Sequence, residues 1–357
     1  MNFEFPESTA LIAETVRDVM RTSWSVEALR ETMNGDVEAL DRLWRTITEL
    51  GWTGILIDES AGGASGSVLD AIVLAEGLGR ACCPVAFVES AMVVPSIVSD
   101  AATLSSIASG TNICLGLVDA EGFADPLGSD FSLTGETLNG TKTLIKRPSD
   151  CEQLLVIGRD TQGPGGALVQ AQQSGVSWRT HSTLAGFTYD AMLSDVTEFE
   201  PLAASASTID RAFAIGMLGH VAHMVGAASY VLDLAIEYAK VREQSGQPIG
   251  AHQAIQHRLA DMAYGVDGAR YMLYRSANDA TGRDPNPTLH HAKAFATRAC
   301  LEVVRGAHQV FGAIGFCEEH DLHLYHKHVL ASSVAFGDGM YHLDQVAERL
   351  GLETSQA

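Results

Sequence analysis

The stretch YAKVREQSGQPIGAHQAIQHRLADM, residues 238–262, decides how this chain folds. Before it Val221, Val225, Ala228, Leu232, Ala235 and Ala239 recur at steps of four and three, and Ile255, Leu259, Met262, Val266 and Ala269 repeat the pattern across and beyond it. That spacing gathers apolar side chains on one face of a helix. Between the two runs Gly246, Pro248 and Gly250 interrupt. Proline lacks the amide a helix interior uses, and glycine admits backbone angles that other residues avoid. The spacing predicts two long antiparallel helices joined by a short turn of fixed shape. Such a turn holds Arg242 near the end of one helix and Gln253 near the start of the next, where amides are free. A guanidinium, an amide and a helix N-terminus suit a pyrophosphate. A helical hairpin with solvated polar residues accounts for the same spacing.

Downstream, periodicity predicts a third helix over 287–311, a shorter piece over 322–336 and a last helix from 341 onward. Upstream, residues 1–110 read as helices with short breaks, with Leu40, Leu43, Trp44 and Ile47 on one buried face and glycines in GWTGILIDESAGGASGS halting regular structure. Between lie short β-rich runs, ICLGLV, FSLTG, TLIKR, QLLVIG and GALVQA, separated by turn residues. The expected fold is α+β: an N-terminal helical domain over 1–110, a middle antiparallel β domain over 111–204 and a C-terminal helical bundle over 205–357. No G-x-G-x-x-G follows any strand, so a Rossmann nucleotide site is not expected.

Of the 357 residues 46% are hydrophobic, enough to fill a real core, and the formal net charge is -21 from 44 acidic and 23 basic residues. Such a surface repels nucleic acid but leaves room for small anions at local arginines and helix N-termini. No apolar run reaches the roughly 18 residues of a bilayer span, and MNFEFPESTALIAETVRD is acidic where a signal peptide is basic. A soluble cytoplasmic protein is expected. The six cysteines show no CxxC spacing and are expected to be reduced.

Three further segments carry candidate chemistry. In GAHQVFGAIGF, Gln309 precedes Gly312, and can bond an adenine or phosphate where glycine allows close approach, although a glycine-capped helix end explains the segment equally. In FGDGMYHLD, Asp338 lies between two glycines before the last helix, placed either to act as a general base or simply to start that helix. His320, His323, His326 and His328 crowd EEHDLHLYHKHV, but nothing makes them converge and no metal is expected. GETLNGTK lacks the Gly-Lys-Ser/Thr order of a P-loop, and no G-x-S-x-G elbow occurs.

Taken together, LGWTGILIDESAGGASGS, EGLGRACCPV, LNGTKTLIKRPSDCEQLLVIG, REQSGQPIGAHQAIQHRLADM and HQVFGAIGF, in this order, resemble the acyl-CoA dehydrogenase superfamily over nearly the whole chain. The resemblance implies a C-terminal four-helix bundle, tetramers built from dimers, FAD, a CoA thioester substrate, a carboxylate that removes the α-proton, and an electron-transferring flavoprotein as acceptor. It also implies that Arg242, Gln253, Gln309 and Gly312 reach the FAD of a neighbouring chain.

The sequence departs from the family pattern in places that matter. GLVDAEGFADPLGSD lacks the usual Thr-Glu pair, TKTLIKRP has no tryptophan, Ser245 replaces an aromatic and Ala313 a glycine. Asp338 stands where many members carry the catalytic glutamate, and RAFAIGMLGH offers no carboxylate as an alternative. Keeping the groups that act in trans while losing those that hold the flavin ring resembles the shorter subunit of heteromeric α2β2 acyl-CoA dehydrogenases, many of which act on steroid side-chain thioesters. A self-sufficient homomeric dehydrogenase using Asp338, a non-catalytic structural partner subunit, and a flavoenzyme with another substrate are the alternatives.

Overall fold

The computed structural model describes residues 5–120, 131–146, 151–161, 163–202, 204–280 and 287–352. Helices α1 (Glu7–Ser23), α2 (Val26–Met33), α3 (Glu38–Glu49), α4 (Val68–Arg80), α5 (Val94–Ile97) and α6 (Ala101–Ala108) come first. Eight strands follow: β1 (Ile113–Gly116), β2 (Val118–Asp119), β3 (Leu138–Ile145), β4 (Gln153–Asp160), β5 (Gly163–Gln170), β6 (Val176–Thr183), β7 (Gly186–Val196) and β8 (Phe199–Leu202). Then come α7 (Ala206–Val241), the short strands β9 (Glu243–Gln244) and β10 (Gln247–Pro248), and α8 (Gln253–Asp279), α9 (Pro287–Phe311), α10 (Leu322–Val334) and α11 (Gly339–Arg349). The chain is thus helical, then β, then helical, as its periodicities predict. Contacts divide it into two compact units, one of residues 27–71 and 84–219, the other of 1–26, 72–83 and 220–357.

The first unit is built on two four-stranded sheets, ordered β1-β4-β5-β8 and β2-β3-β7-β6. Leu138, Ile145, Leu193 and Val196 of one sheet share an apolar core with Leu154, Val156, Ala167 and Val169 of the other. Pairing is antiparallel except between β1 and β4, which run parallel from Ile113↔Gln153 to Gly116↔Val156. A parallel pair needs a long crossover, and the chain makes it by leaving for the second sheet as β2 and β3. FSLTG, expected as a strand, contributes only an isolated bridge from Ser132 to Arg159. The parallel pairing also sets the Cα atoms of Cys114 and Cys151 6.4 Å apart, and the two form a disulfide. That corrects the expectation of six reduced thiols; Cys82, Cys83, Cys300 and Cys317 are free.

In the helical unit α4 and α7 approach backbone to backbone. A Cβ added at Gly226 would lie 2.1 Å from Glu76 O, and one at Gly79 2.4 Å from His223 Cα. Only glycine fits such a crossing. The closeness lets Arg80 reach Ser229 and Asp233, at 3.1 and 2.7 Å. Glu76 takes Arg270 Nε at 2.9 Å and Tyr274 OH at 2.6 Å, tying α4 to α8. Among the described residues α7 is long and apolar enough to cross a membrane, yet 89% of its apolar window is buried in the protein. Its alanines, glycines and valines serve a packed interior.

Replacing Gly226 with alanine should cost about 3 kcal/mol, because overpacking against a backbone carbonyl leaves no side chain free to yield. A urea titration of the purified protein, compared with Ala227→Gly as a control for propensity alone, measures it.

Candidate functional site

The quoted turn is a two-residue hairpin. Gln244 pairs with Gln247 and Glu243 with Pro248, leaving Ser245 and Gly246 at the tip with φ of 55° and 81°. Positive φ at both positions is what a type I′ turn requires. Serine tolerates that region less well than glycine, so the turn shape is held by its flanks: Ile249 N–H donates to Arg242 O at 2.7 Å, and Gly250 lies where a Cβ would approach Ala239 O to 3.0 Å. Gly246 is therefore left-handed as expected, whereas Gly250 serves close approach.

Arg242 and Gln253 flank this turn, both exposed, with Gln253 the first residue of α8. No side-chain group caps that helix start. Gln309, exposed near the end of α9, lines a cleft of about 510 Å³ between α8 and α9, together with Ala254, His257, Arg258 and Arg305. Tyr238 of α7 stacks on Phe311 of α9 with centroids 4.4 Å apart, which draws the end of Arg242's helix to the residue preceding Gly312. Gly312 has φ 65°, and a Cβ there would meet nothing within 4 Å. Thus the structure brings Arg242, Gln253, Gln309 and Gly312 to neighbouring helix ends of one unit. Residues 121–130, where the Thr-Glu pair is missing, lie outside the described residues. On β3, at the segment without tryptophan, Leu144 is exposed with φ 57° in an irregular stretch of the strand.

Asp338 is the N-cap of α11: its Oδ1 accepts the Tyr341 N–H at 2.8 Å, and the residue is exposed. The buried carboxylate that a base invites is not what the fold provides. The histidines of the EEHDLHLYHKHV segment each turn to a different partner. His320 Nδ1 accepts the Leu322 N–H, His323 bonds Glu318 O, His326 bonds His308 at 3.0 Å and His328 bonds His223 at 3.2 Å. No cluster of three metal-ligating side chains forms among the described residues.

Beneath the Asp338 segment lies a group that sequence reasoning missed. Lys293 of α9 is fully buried and donates to Ser332 O at 2.7 Å and Ala335 O at 2.9 Å. His342 of α11, also fully buried, bonds Phe336 O at 2.9 Å through Nε2 and His290 of α9 at 2.8 Å through Nδ1. Burial pushes Lys293 down to about 7, His290 to about 4 and His342 to about 3. A signal was present: Leu289, Lys293, Ala296, Cys300, Val303 and Ala307 alternate steps of four and three, so the lysine sits on the apolar stripe.

With this geometry in place, comparison with known proteins defines the class. Models of the acyl-CoA dehydrogenase N-terminal and C-terminal domains match residues 6–103 and 207–351. The chain belongs to the acyl-CoA dehydrogenase family. It is 29% identical to acyl-CoA dehydrogenase IpdE2 of Mycolicibacterium smegmatis, over 93% of this chain and 95% of that one. It is 30% identical to acyl-CoA dehydrogenase FadE34 of Mycobacterium tuberculosis over 87% of this chain but 44% of that longer protein. Among solved structures, the ChsE4-ChsE5 complex of Mycobacterium tuberculosis superposes with a TM-score of 0.89 at 22% identity, over 99% of this chain and 100% of the matched chain. A variant of the Tcur3481-Tcur3483 steroid ACAD gives 0.88 at 24%, over 97% and 98%.

The family implies FAD, and the residues present fit its polar half. An exposed arginine, two exposed glutamines, an uncapped helix start and an open glycine match the charge and hydrogen-bonding needs of a pyrophosphate and an adenine.

Two outcomes follow for the buried histidines and the cap. A histidine whose folded pKa is depressed gives stability that is complete above its unfolded value near 6.5 and is lost as pH falls toward the folded value. His290 and His342 therefore predict a urea midpoint that falls steadily from pH 6.5 to about 4, with proton uptake on unfolding. Asp338→Ala should lose about 1 kcal/mol at pH 7 and Asp338→Asn only a few tenths, since asparagine caps as well as aspartate.

Proposed function

We propose that this chain is one subunit of a heteromeric, FAD-dependent acyl-CoA dehydrogenase in the cytoplasm, which forms the α,β double bond of a CoA thioester with a bulky, steroid-derived acyl group. One observation carries the reading. Arg242, Gln253 and Gln309 stand exposed at helix ends, where no side chain among the described residues partners them. Polar groups fixed in that way are suited to a ligand held mainly by another chain. The two-chain composition of the ChsE4-ChsE5 complex, and a steroid ACAD as a second structural neighbour, support the partner and the substrate class.

FAD, when bound, supplies the acceptor for the β-hydride, and an electron-transferring flavoprotein takes the electrons onward. Arg242 and the amides at the α8 start would hold the pyrophosphate, and Gln309 would hold the adenine side. Asp338 is the proposed base. Its Oδ1 is committed to the cap, leaving Oδ2 to accept the α-proton. A second reading has its own observation: capping alone accounts for an exposed Asp338, and the companion chain then supplies the base.

Flavin absorbance separates these possibilities. The chain purified alone should be colourless, and co-expression with its longer homologue should give one FAD for each pair of unlike chains. One FAD bound per chain in isolation would sink the heteromeric reading. In the assembled enzyme, Arg242→Ala should weaken FAD retention about tenfold or more, the worth of a charge-assisted hydrogen bond. Asp338→Asn keeps the cap, so lost turnover with FAD retained assigns the base, whereas full turnover leaves this chain a structural partner.

A further inference from the structure

The segment between α10 and α11 is held by an unusual amount of buried polar structure. Ser332 O and Ala335 O belong to the end of α10, where carbonyls lack helical partners. Lys293 satisfies both from beneath. Phe336 and Gly337 follow with φ of 56° and 91°. A left-handed phenylalanine is an outlier that needs its surroundings to hold it.

The hydrogen bonds show how it is held. Phe336 O can only accept, so His342 Nε2 carries the proton. The neutral ring then accepts at Nδ1, and His290 Nδ1 donates to it. Gly337 closes the arrangement, because a Cβ there would lie 2.6 Å from Tyr341 Cδ1 and 2.9 Å from His342 Nε2. The next residue is Asp338, delivered to the N-cap of α11.

We propose that Lys293 and His342 are positioning residues for Asp338, fixing the carbonyls of residues 332–336 and thereby the left-handed step that presents its carboxylate. The catalytic consequence rests on the assignment of Asp338 as base; the clamp itself does not. Lys293 also acts through charge. The Asp338 carboxylate favours the protonated form of Lys293. The other titratable groups around the pair are Cys300 and His290 on α9, with Arg349 and His291 acting on His290. Lys293 has no carboxylate within bonding distance among the described residues, so its charge is spent on backbone carbonyls and on this longer-range attraction.

A lysine that only fills space would leave the presentation of Asp338 untouched, which makes turnover and the exchange of the capped Tyr341 amide the test. In the assembled enzyme kcat, KM and amide exchange are followed together for the wild type and each variant. In Lys293→Met, which nearly keeps the length of the side chain, kcat should fall about tenfold with KM unchanged, and the Tyr341 amide should exchange about tenfold faster. Exchange elsewhere in α9 should stay as in the wild type. His342→Gln, which keeps a donor for Phe336 O but loses the link to His290, should speed Tyr341 exchange less. It carries the test through exchange if Lys293→Met fails to fold, and unchanged Tyr341 exchange there then overturns the clamp. Unchanged kcat and exchange in folded Lys293→Met overturn it as well. Full turnover in Asp338→Asn would instead remove the base assignment and leave the clamp standing.

Discussion

The helical unit depends on one contact, the approach of α4 to α7 at Gly79 and Gly226. Side chains of ordinary size would hold the two backbones 8–10 Å apart. Here a carbonyl of α4 occupies the space where a Cβ of α7 would stand. With the axes so close, Arg80 reaches across to Asp233, and Glu76 is left pointing at α8, where Arg270 and Tyr274 take both its oxygens. Breaking that acid from its partners would strand a buried charge, so the network specifies register more than it adds stability. Cys82, just past α4, reaches Leu324 O of α10, so the reference set by two glycines extends to the helix that ends above Lys293.

Buried basic groups then define the far side of the unit. A lysine with 0% exposure and a pKa near 7 is expensive to keep. The compensation is specific. Two carbonyls at the end of α10, where helix geometry leaves carbonyls without helical partners, take the Lys293 ammonium as donor, which an aliphatic residue at 293 could not supply. The same reasoning explains why His342 stays neutral: its ring is turned into a one-proton relay between His290 and Phe336 O, which an imidazolium would disrupt at Nδ1.

Much of this was legible in the sequence, for physical reasons that can be named. The third long helix is found over the residues its period predicts, because alternating steps of four and three across seven turns leave no other face to bury. β6 and β7 went unread within the β segment; in β6, an edge strand, Ser177, Arg179, His181 and Thr183 leave little apolar alternation. In α8, Met262, Val266 and Ala269 are buried as expected, but Ile255 and Leu259 are only half-buried. A period tells which face is apolar, not what covers it. The turn between α7 and α8 was readable because turn chemistry is local. Lys293 was not read, although it occupies the apolar stripe, since a lysine in a hydrophobic period looks like an interruption unless one asks which carbonyls need it.

The turn at Ser245 and Gly246 turns that distinction into an argument about function. Two consecutive left-handed residues, one a serine, cost free energy that an exposed loop has no structural reason to spend. A looser connection of a few more residues would join α7 to α8 with little entropic penalty. The hairpin instead shortens the link to its minimum, closes it with an Arg242–Ile249 backbone bond and leaves the Arg242 and Gln253 side chains outside. Rigidity without burial is what a binding element needs when it must not pay ordering entropy on association. Half-buried Ile255 and Leu259 follow Gln253 within the first two turns of α8. The polar chemistry and the unfinished packing of this chain therefore point to the same external surface.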